Sequence, residues 1–297
     1  MLRPITAGVD GSPESLAAAG WAAREAQRRH APFRIVHAWE WSPHPSVTVP
    51  ADAGQRHWAH RILREALDHL RLQYPDLHVD DQQVPVLPSA ALHDASAESD
   101  LLVLGSRGIS GFTGYLVGSV ALQVVARAEC PVVLVRAEQR SQDEHIPAAD
   151  GRPSTVTPYR DVVIGIDLDQ PCDEVIEFAY EAARVRGAAV RLVHSYRPPT
   201  LYAVGTGEIS GPELAADREH SLEGLIRQWH DKYPDITTTG TANQGRAASH
   251  LLRSSQDACL LVLGRRRLRG HIGAHIGPVT HAAMHHAPCP VAVVPHD

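Results

Sequence analysis

The sequence lacks several features that would settle its class at once. No apolar run approaches the roughly 20 residues needed to cross a bilayer, so no membrane partner is expected. The stretch from Met1 to Gly11 reads as a strand and turn, without the apolar core and cleavage site of a secretory signal, which points to the cytoplasm. There are only four cysteines (130, 172, 259 and 289) and no CxxC pair. That pattern suits reduced thiols better than a disulfide framework. Positive charge is not in excess, the formal net charge being -6, so no global field favours a nucleic-acid partner. What is present is an ordinary globular composition, with 43% hydrophobic residues, enough to build packed cores. At about 100–200 residues per domain, 297 residues suggest two domains.

Self-comparison supports that count. Residues 160–167 (RDVVIGID) echo residues 3–10 (RPITAGVD) at an offset of 157. The same offset aligns Phe33–Trp39 with Val190–Tyr196. Further along the offset becomes 159, aligning Tyr74-Pro75-Asp76 with Tyr233-Pro234-Asp235. Leu101–Gly105 then falls on Leu260–Gly264, and Cys130–Val133 on Cys289–Ala292. A period near half the chain indicates a tandem duplication rather than a solenoid. The domains are read as 1–136 and 158–297. Between them, 137–157 is polar, proline-containing and aperiodic, and reads as a linker.

Within the first copy, short apolar runs alternate with amphipathic stretches. Strands are expected over Ile5–Val9, Phe33–Ala38, Val79–Val86, Leu101–Leu104 and Val132–Val135. Ser12 and Pro13 provide an N-cap and a first helical residue for a helix running to about Arg29. Further helices are expected over Gln55–Leu72, Ala90–Ser99 and Ser119–Ala128. This alternation argues for a parallel sheet covered on both faces. With right-handed crossovers the fold class is α/β, two doubly wound, open, five-stranded parallel sheets of Rossmann-like type. The proline before Val132 and before Val291 suits an edge strand.

The loop after Leu104 has glycines at 105, 108, 111, 114 and 118, followed by Ser119. Glycines leaving a buried strand and entering a helix let backbone N–H groups converge on an anion, and the helix N-terminus adds partial positive charge. A plain surface loop with a helix cap is the alternative. The loop is neither a P-loop nor a GxGxxG fingerprint. GxSxG, HExxH and the kinase motifs are also absent, so no catalytic residue is assigned.

The spacing Gly105-x2-Gly108-x9-Gly118-Ser119 resembles the ATP-binding motif of the universal stress protein family. The strand end Gly8-Val9-Asp10-Gly11-Ser12 is similar to that family's opening, and Val36-His37-Ala38 to its second-strand end. The resemblance implies an adenine nucleotide ligand, ATP with or without Mg2+. It places Asp10 and the Gly8 backbone at the adenosine end and the Ala38 backbone at adenine. Gly105, Ser106, Arg107 and Gly108 would approach ribose and phosphates, and Gly118, Ser119 and the Val120 amide would hold the phosphates. For Asp10 the bland alternative is a turn-forming or capping group.

The second copy keeps Gly165, Asp167, Gly264 and Gly277 at matching positions. It has Arg267 for the second glycine and Pro278 for the serine, so altered or weakened nucleotide binding is expected there. His281 and His285 lie four apart and could share a helix face, but no obvious third ligand completes a metal site. His37 and His194 read as packed polar residues near the clefts. The resemblance further implies an internal pseudo-dimer of the two copies, with a homodimer and an unknown regulatory protein partner left open. The expected function is a nucleotide-dependent sensor or regulator in stress adaptation; the alternative is a slow ATP-hydrolysing or nucleotide- or phosphoryl-transferring enzyme.

Overall fold

The computed structural model describes residues 2–39, 51–106, 117–197, 211–267 and 276–297. The chain divides into two compact units, one consisting mainly of Met1–Arg140, the other mainly of Ser141–Arg265 and Gly277–His296.

The first unit runs β1 (Ile5–Gly8), α1 (Pro13–Arg29), β2 (Phe33–Ala38), α2 (Ala51–Gln73), β3 (Val79–Val84), α3 (Pro88–Glu98), β4 (Leu101–Ser106), α4 (Ser119–Arg127) and β5 (Val132–Arg136). Its strands lie in the order β3-β2-β1-β4-β5, and the pairs within it are parallel. The chain turns back between β1 and β4, the switch point of a doubly wound sheet, where open α/β folds leave a crevice at the strand C-termini. The four residues of β1 are all buried, as are Leu101–Leu104 of β4, which is why these strands read as unbroken apolar runs. α1 packs against β1, β4 and β5 and buries Ala18, Ala19, Ala22, Ala23 and Ala26, small side chains that suit a close helix–sheet approach, together with Trp21.

Local chemistry sets the ends of α1. The Ser12 hydroxyl accepts from the Ser15 amide, and Pro13 takes the first helical position, where no N–H is needed. His30 closes the helix in the left-handed region at φ 50°, its amide reaching back to Ala26 and Gln27. β3 stops at Val84, short of the expected Val86, because Pro85 has no amide to offer the ladder. α3 starts at Pro88, two residues earlier than expected, again with proline in the first turn.

The second unit repeats the plan: β6 (Asp161–Ile166), α5 (Asp173–Arg184), β7 (Val190–Tyr196), α6 (Gly211–Lys232), β8 (Thr238–Gln244), α7 (Ala247–Ser254), β9 (Ala258–Arg266), α8 (Pro278–His286) and β10 (Val291–His296). Its strand order is β10-β9-β6-β7-β8. β6 pairs parallel with β7 and β9, and β7 with β8. In both units a histidine near the end of the second strand is buried and its Nδ1 hydrogen-bonds a carbonyl at or just past the first strand's end, His37 to Val9 at 2.7 Å and His194 to Ile166 at 3.0 Å. These bonds pin the first and second strand ends together beside the crevice.

The segment expected as a linker carries ordered contacts of its own. Ser141–Glu144 forms one 3-10 turn, and Glu144 is fully buried. His145 bridges to Tyr159, with ring centroids 3.9 Å apart, and its Nδ1 bonds the Thr157 carbonyl at 2.5 Å. The Ile146 amide donates to Pro158, and the Thr157 hydroxyl donates back to the Ile146 carbonyl. Residues 146–157 thus leave and return through a hydrogen-bonded neck.

Candidate functional site

In the first unit a cavity of about 270 Å3 opens at the C-terminal ends of β1, β2 and β4. Of the expected site residues, Gly8, Asp10, Ala38 and Gly105 line it from the sheet side, and Gly118, Ser119 and Val120 line it at the start of α4. Residues more than a hundred positions apart therefore meet at one crevice. Ser106 does not line it. β4 continues through Ser106, which pairs with Arg136, and its hydroxyl donates to the Val135 carbonyl at 3.2 Å. That bond holds the Ser106 side chain against β5. Arg107 and Gly108 lie outside the described residues, as do the loop glycines 111 and 114.

The cavity has two chemical ends. Val36, Leu92 and Leu104 give an apolar wall. Opposite in character is the start of α4. Gly118 is its N-cap, in extended conformation with no side-chain cap, so the first-turn amides have no capping side chain. Such a nine-residue helix presents N–H groups and partial positive charge to whatever sits before it.

Asp10 occupies a tight network. Its Oδ1 accepts from the Ser12 amide at 3.0 Å and from the Ser12 hydroxyl at 2.5 Å. The Ser15 hydroxyl donates to the Ser12 carbonyl at 2.9 Å and accepts from the Asp10 amide at 3.3 Å. The turn-forming reading of Asp10 is thus realised in geometry, and the same residue also lines the cavity. Gly11 completes the turn at φ +82°, a conformation side-chain-bearing residues rarely adopt.

Two glycines have a packing reason as well. A Cβ on Gly8 would lie 2.8 Å from Leu104 Cδ2 and 3.0 Å from Leu92 Cδ2. A Cβ on Gly105 would lie 2.6 Å from the Glu14 carbonyl carbon and 2.8 Å from the Ser15 nitrogen. The first turn of α1 rests on β4 at Gly105, which carries Ser12, Glu14 and Ser15 onto the cavity wall. These residues, with Val36, Pro88, Leu92, Leu104 and Ala121, were not singled out from sequence for the site. Only the Ser12-Pro13 helix start hinted that the first turn of α1 would come this close.

The second unit keeps the frame. Gly165 sits in β6 opposite Val193, and a Cβ there would meet Leu263 at 2.6 Å and Leu251 at 3.1 Å. The Asp167 carboxylate accepts from the Asp169 amide at 3.1 Å. Gly264 lies in β9, and Gly277 is the N-cap of α8 without a side-chain cap, followed by Pro278. On α8 the His281 and His285 rings lie against each other at a tilt of 38°, centroids 4.4 Å apart. Among the described residues no three His, Cys, Asp or Glu side chains group as metal ligands, and no helix is long and apolar enough to cross a membrane.

Against known proteins, the universal stress protein family model matches residues 1–136 and 158–295. The chain belongs to the universal stress protein family. Each repeat therefore corresponds to one family unit. Universal stress protein Rv2005c of Mycobacterium tuberculosis is 30% identical over 97% of this chain and 96% of its own length. Universal stress protein Rv2623 of the same organism is 27% identical over 97% and 95%. A universal stress protein structure from Archaeoglobus fulgidus aligns with a TM-score of 0.70 at 16% identity, covering 99% of this chain and 98% of that one, a likeness of fold.

Proposed function

We propose that the first repeat of this universal stress protein binds ATP and that the chain acts as a nucleotide-dependent sensor or regulator in stress adaptation. The observation that carries the reading is the cavity itself: an apolar wall and the uncapped start of α4 face one crevice, together with Gly8, Asp10, Ala38, Gly105 and Ser119. Those two ends suit a flat base and an anionic tail respectively. Ala38 ends β2, so its backbone groups stand at the apolar end. Ser119 adds a hydroxyl beside the amides of α4. Where Mg2+ accompanies the phosphates, the carboxylates available on the wall are Asp10 and Glu14. A hydrolytic reading would need the same two groups, and Mg2+-dependent turnover lost in Ser119→Ala would favour it.

Calorimetric titration with ATP tests the proposal. Gly118→Glu places a carboxylate at the N-cap, where it repels phosphates and competes for the free amides. ATP affinity is expected to fall at least about a hundredfold, given the 1.5–3 kcal/mol carried by hydrogen bonds to charged groups and the added repulsion. Unchanged affinity in that variant would refute the site. A wild-type chain that ATP leaves without thermal stabilisation would refute the reading.

A further inference from the structure

The two repeats share a frame at their strand ends but not the side chains around it. Leu92 and Leu104 flank Gly8 just as Leu251 and Leu263 flank Gly165, which fixes α3 against α7 in register. In that register Ser195 stands where the first repeat has Ala38, His250 where it has Ala91, and Thr280 where it has Ala121. Ala38 and Ala121 line the first cavity, and Ala91 is the buried neighbour of Leu92, which lines it too.

Each polar replacement is used within the second repeat. Ser195 Oγ and His250 Nδ1 hydrogen-bond at 3.0 Å, tying the end of β7 to α7. The Thr280 hydroxyl donates to the Gly264 carbonyl at 3.1 Å, tying α8 to β9. The His296 ring also sits against Gly264, where a Cβ would lie 2.7 Å from its Nε2. Alanine can make none of these side-chain bonds.

We propose that these three positions decide which repeat takes the nucleotide: alanines leave the first crevice open, and the Ser195–His250 and Thr280–Gly264 bonds lace its counterpart shut. The inference rests on the reading that the first repeat binds ATP. A base entering between β7 and α7 would have to displace His250 and break a partly buried hydrogen bond, leaving Ser195 to find another partner. Phosphates at α8 would further meet Pro278, which offers neither amide nor hydroxyl. The chain therefore takes one ATP, held in the first repeat.

Equilibrium dialysis of the full chain with ATP tests this. The wild-type chain is expected to hold one ATP, lost in Gly118→Glu. The triple variant Ser195→Ala/His250→Ala/Thr280→Ala is expected to gain a second site, about ten- to hundredfold weaker than the first because the Pro278 end still lacks two hydrogen-bonding groups. Should the triple variant fail to fold by circular dichroism, His250→Ala alone is expected to gain the same weak site. Two equal sites in the wild-type chain overturn the inference and leave the nucleotide reading intact. So does a folded variant that stays at one site. No ATP bound in the wild-type chain overturns both.

Discussion

The first helix of each repeat leaves its strand beside an equivalent aspartate, yet the two corners are built differently. Asp10 is engaged by the Ser12 amide and hydroxyl, Ser12 in turn caps α1, and the helix starts at once at Pro13. Asp167 engages the Asp169 amide instead, and the N-cap of α5 is Cys172, whose side chain makes no cap bond. At the local offset of 157, Pro13 falls on residue 170, so α5, which begins at Asp173, starts three positions late. It has 12 residues against 17 in α1. In the first repeat the early helix lays its backbone on Gly105; in the second, Gly264 faces the His296 ring and Val175. A glycine kept in both copies thus serves two different neighbours, and its retention alone does not imply a shared ligand.

The sharpest way to break this comparison is to add one methyl to each glycine. Gly105→Ala drives a Cβ into main-chain atoms that cannot yield without moving α1, and should cost about 3 kcal/mol in urea unfolding. Gly264→Ala meets chiefly a histidine ring that can swing aside, and should cost about 1 kcal/mol. Equal costs would show that the two corners pack alike after all.

A smaller difference is expected at the caps. Ser12→Ala removes the acceptor for the Ser15 amide and should cost about 1 kcal/mol in the same unfolding assay, whereas Cys172→Ala should stay within about 0.5 kcal/mol. Burial, helped by the hydrogen bond to Glu174, pushes the Cys172 thiol up to about 11, so it stays protonated at neutral pH and provides no anionic cap. A large loss in Cys172→Ala would contradict the geometry of this corner.

The smallest effect distinguishes α8 from α4. Burial, then the neighbouring His285 and His286, holds the His281 imidazole below its usual value. The unfolded chain then binds that proton more readily than the folded one. Stability from the neutral form is present above about pH 6.5 and declines as pH falls below it. The first repeat has Leu122 at this position. Replacing His281 with Leu should flatten the slope of stability between about pH 5 and 7. An unchanged slope would remove His281 from the account.

Much of this was legible in the sequence where the signal is local. Phe33–Ala38 opens directly after Pro32 as an apolar-rich run, and α1 is marked by a serine, a proline and a basic last turn; both emerge with the expected ends. The positions of Gly8, Asp10, Ala38 and Gly118 followed from motif spacing, since each lies at a strand end or helix start. For Ser106, adjacency to Gly105 carries no information about its hydrogen-bond partner, which is the Val135 carbonyl of β5. Glu14, Val36 and Leu92 reach the cavity only through the folding of α1, β2 and α3 about β1, which no local pattern encodes. Polarity without periodicity in 137–157 gave no hint that Glu144 and His145 would be buried, because their environment depends on residues beyond the segment, among them Tyr159 and Arg160.

That segment has a practical consequence. Because the Ile146 amide meets Pro158 and Thr157 turns back to Ile146, the stretch between them is cinched at its base. Lengthening a loop already closed at its neck costs little, about 0.6 kcal/mol for each doubling. The tip around Gly151 is exposed, and a Cβ there would touch nothing within 4 Å. It is therefore a natural port in this chain, where a reporter or an extra module could be spliced in while the cavity of the first unit keeps its walls.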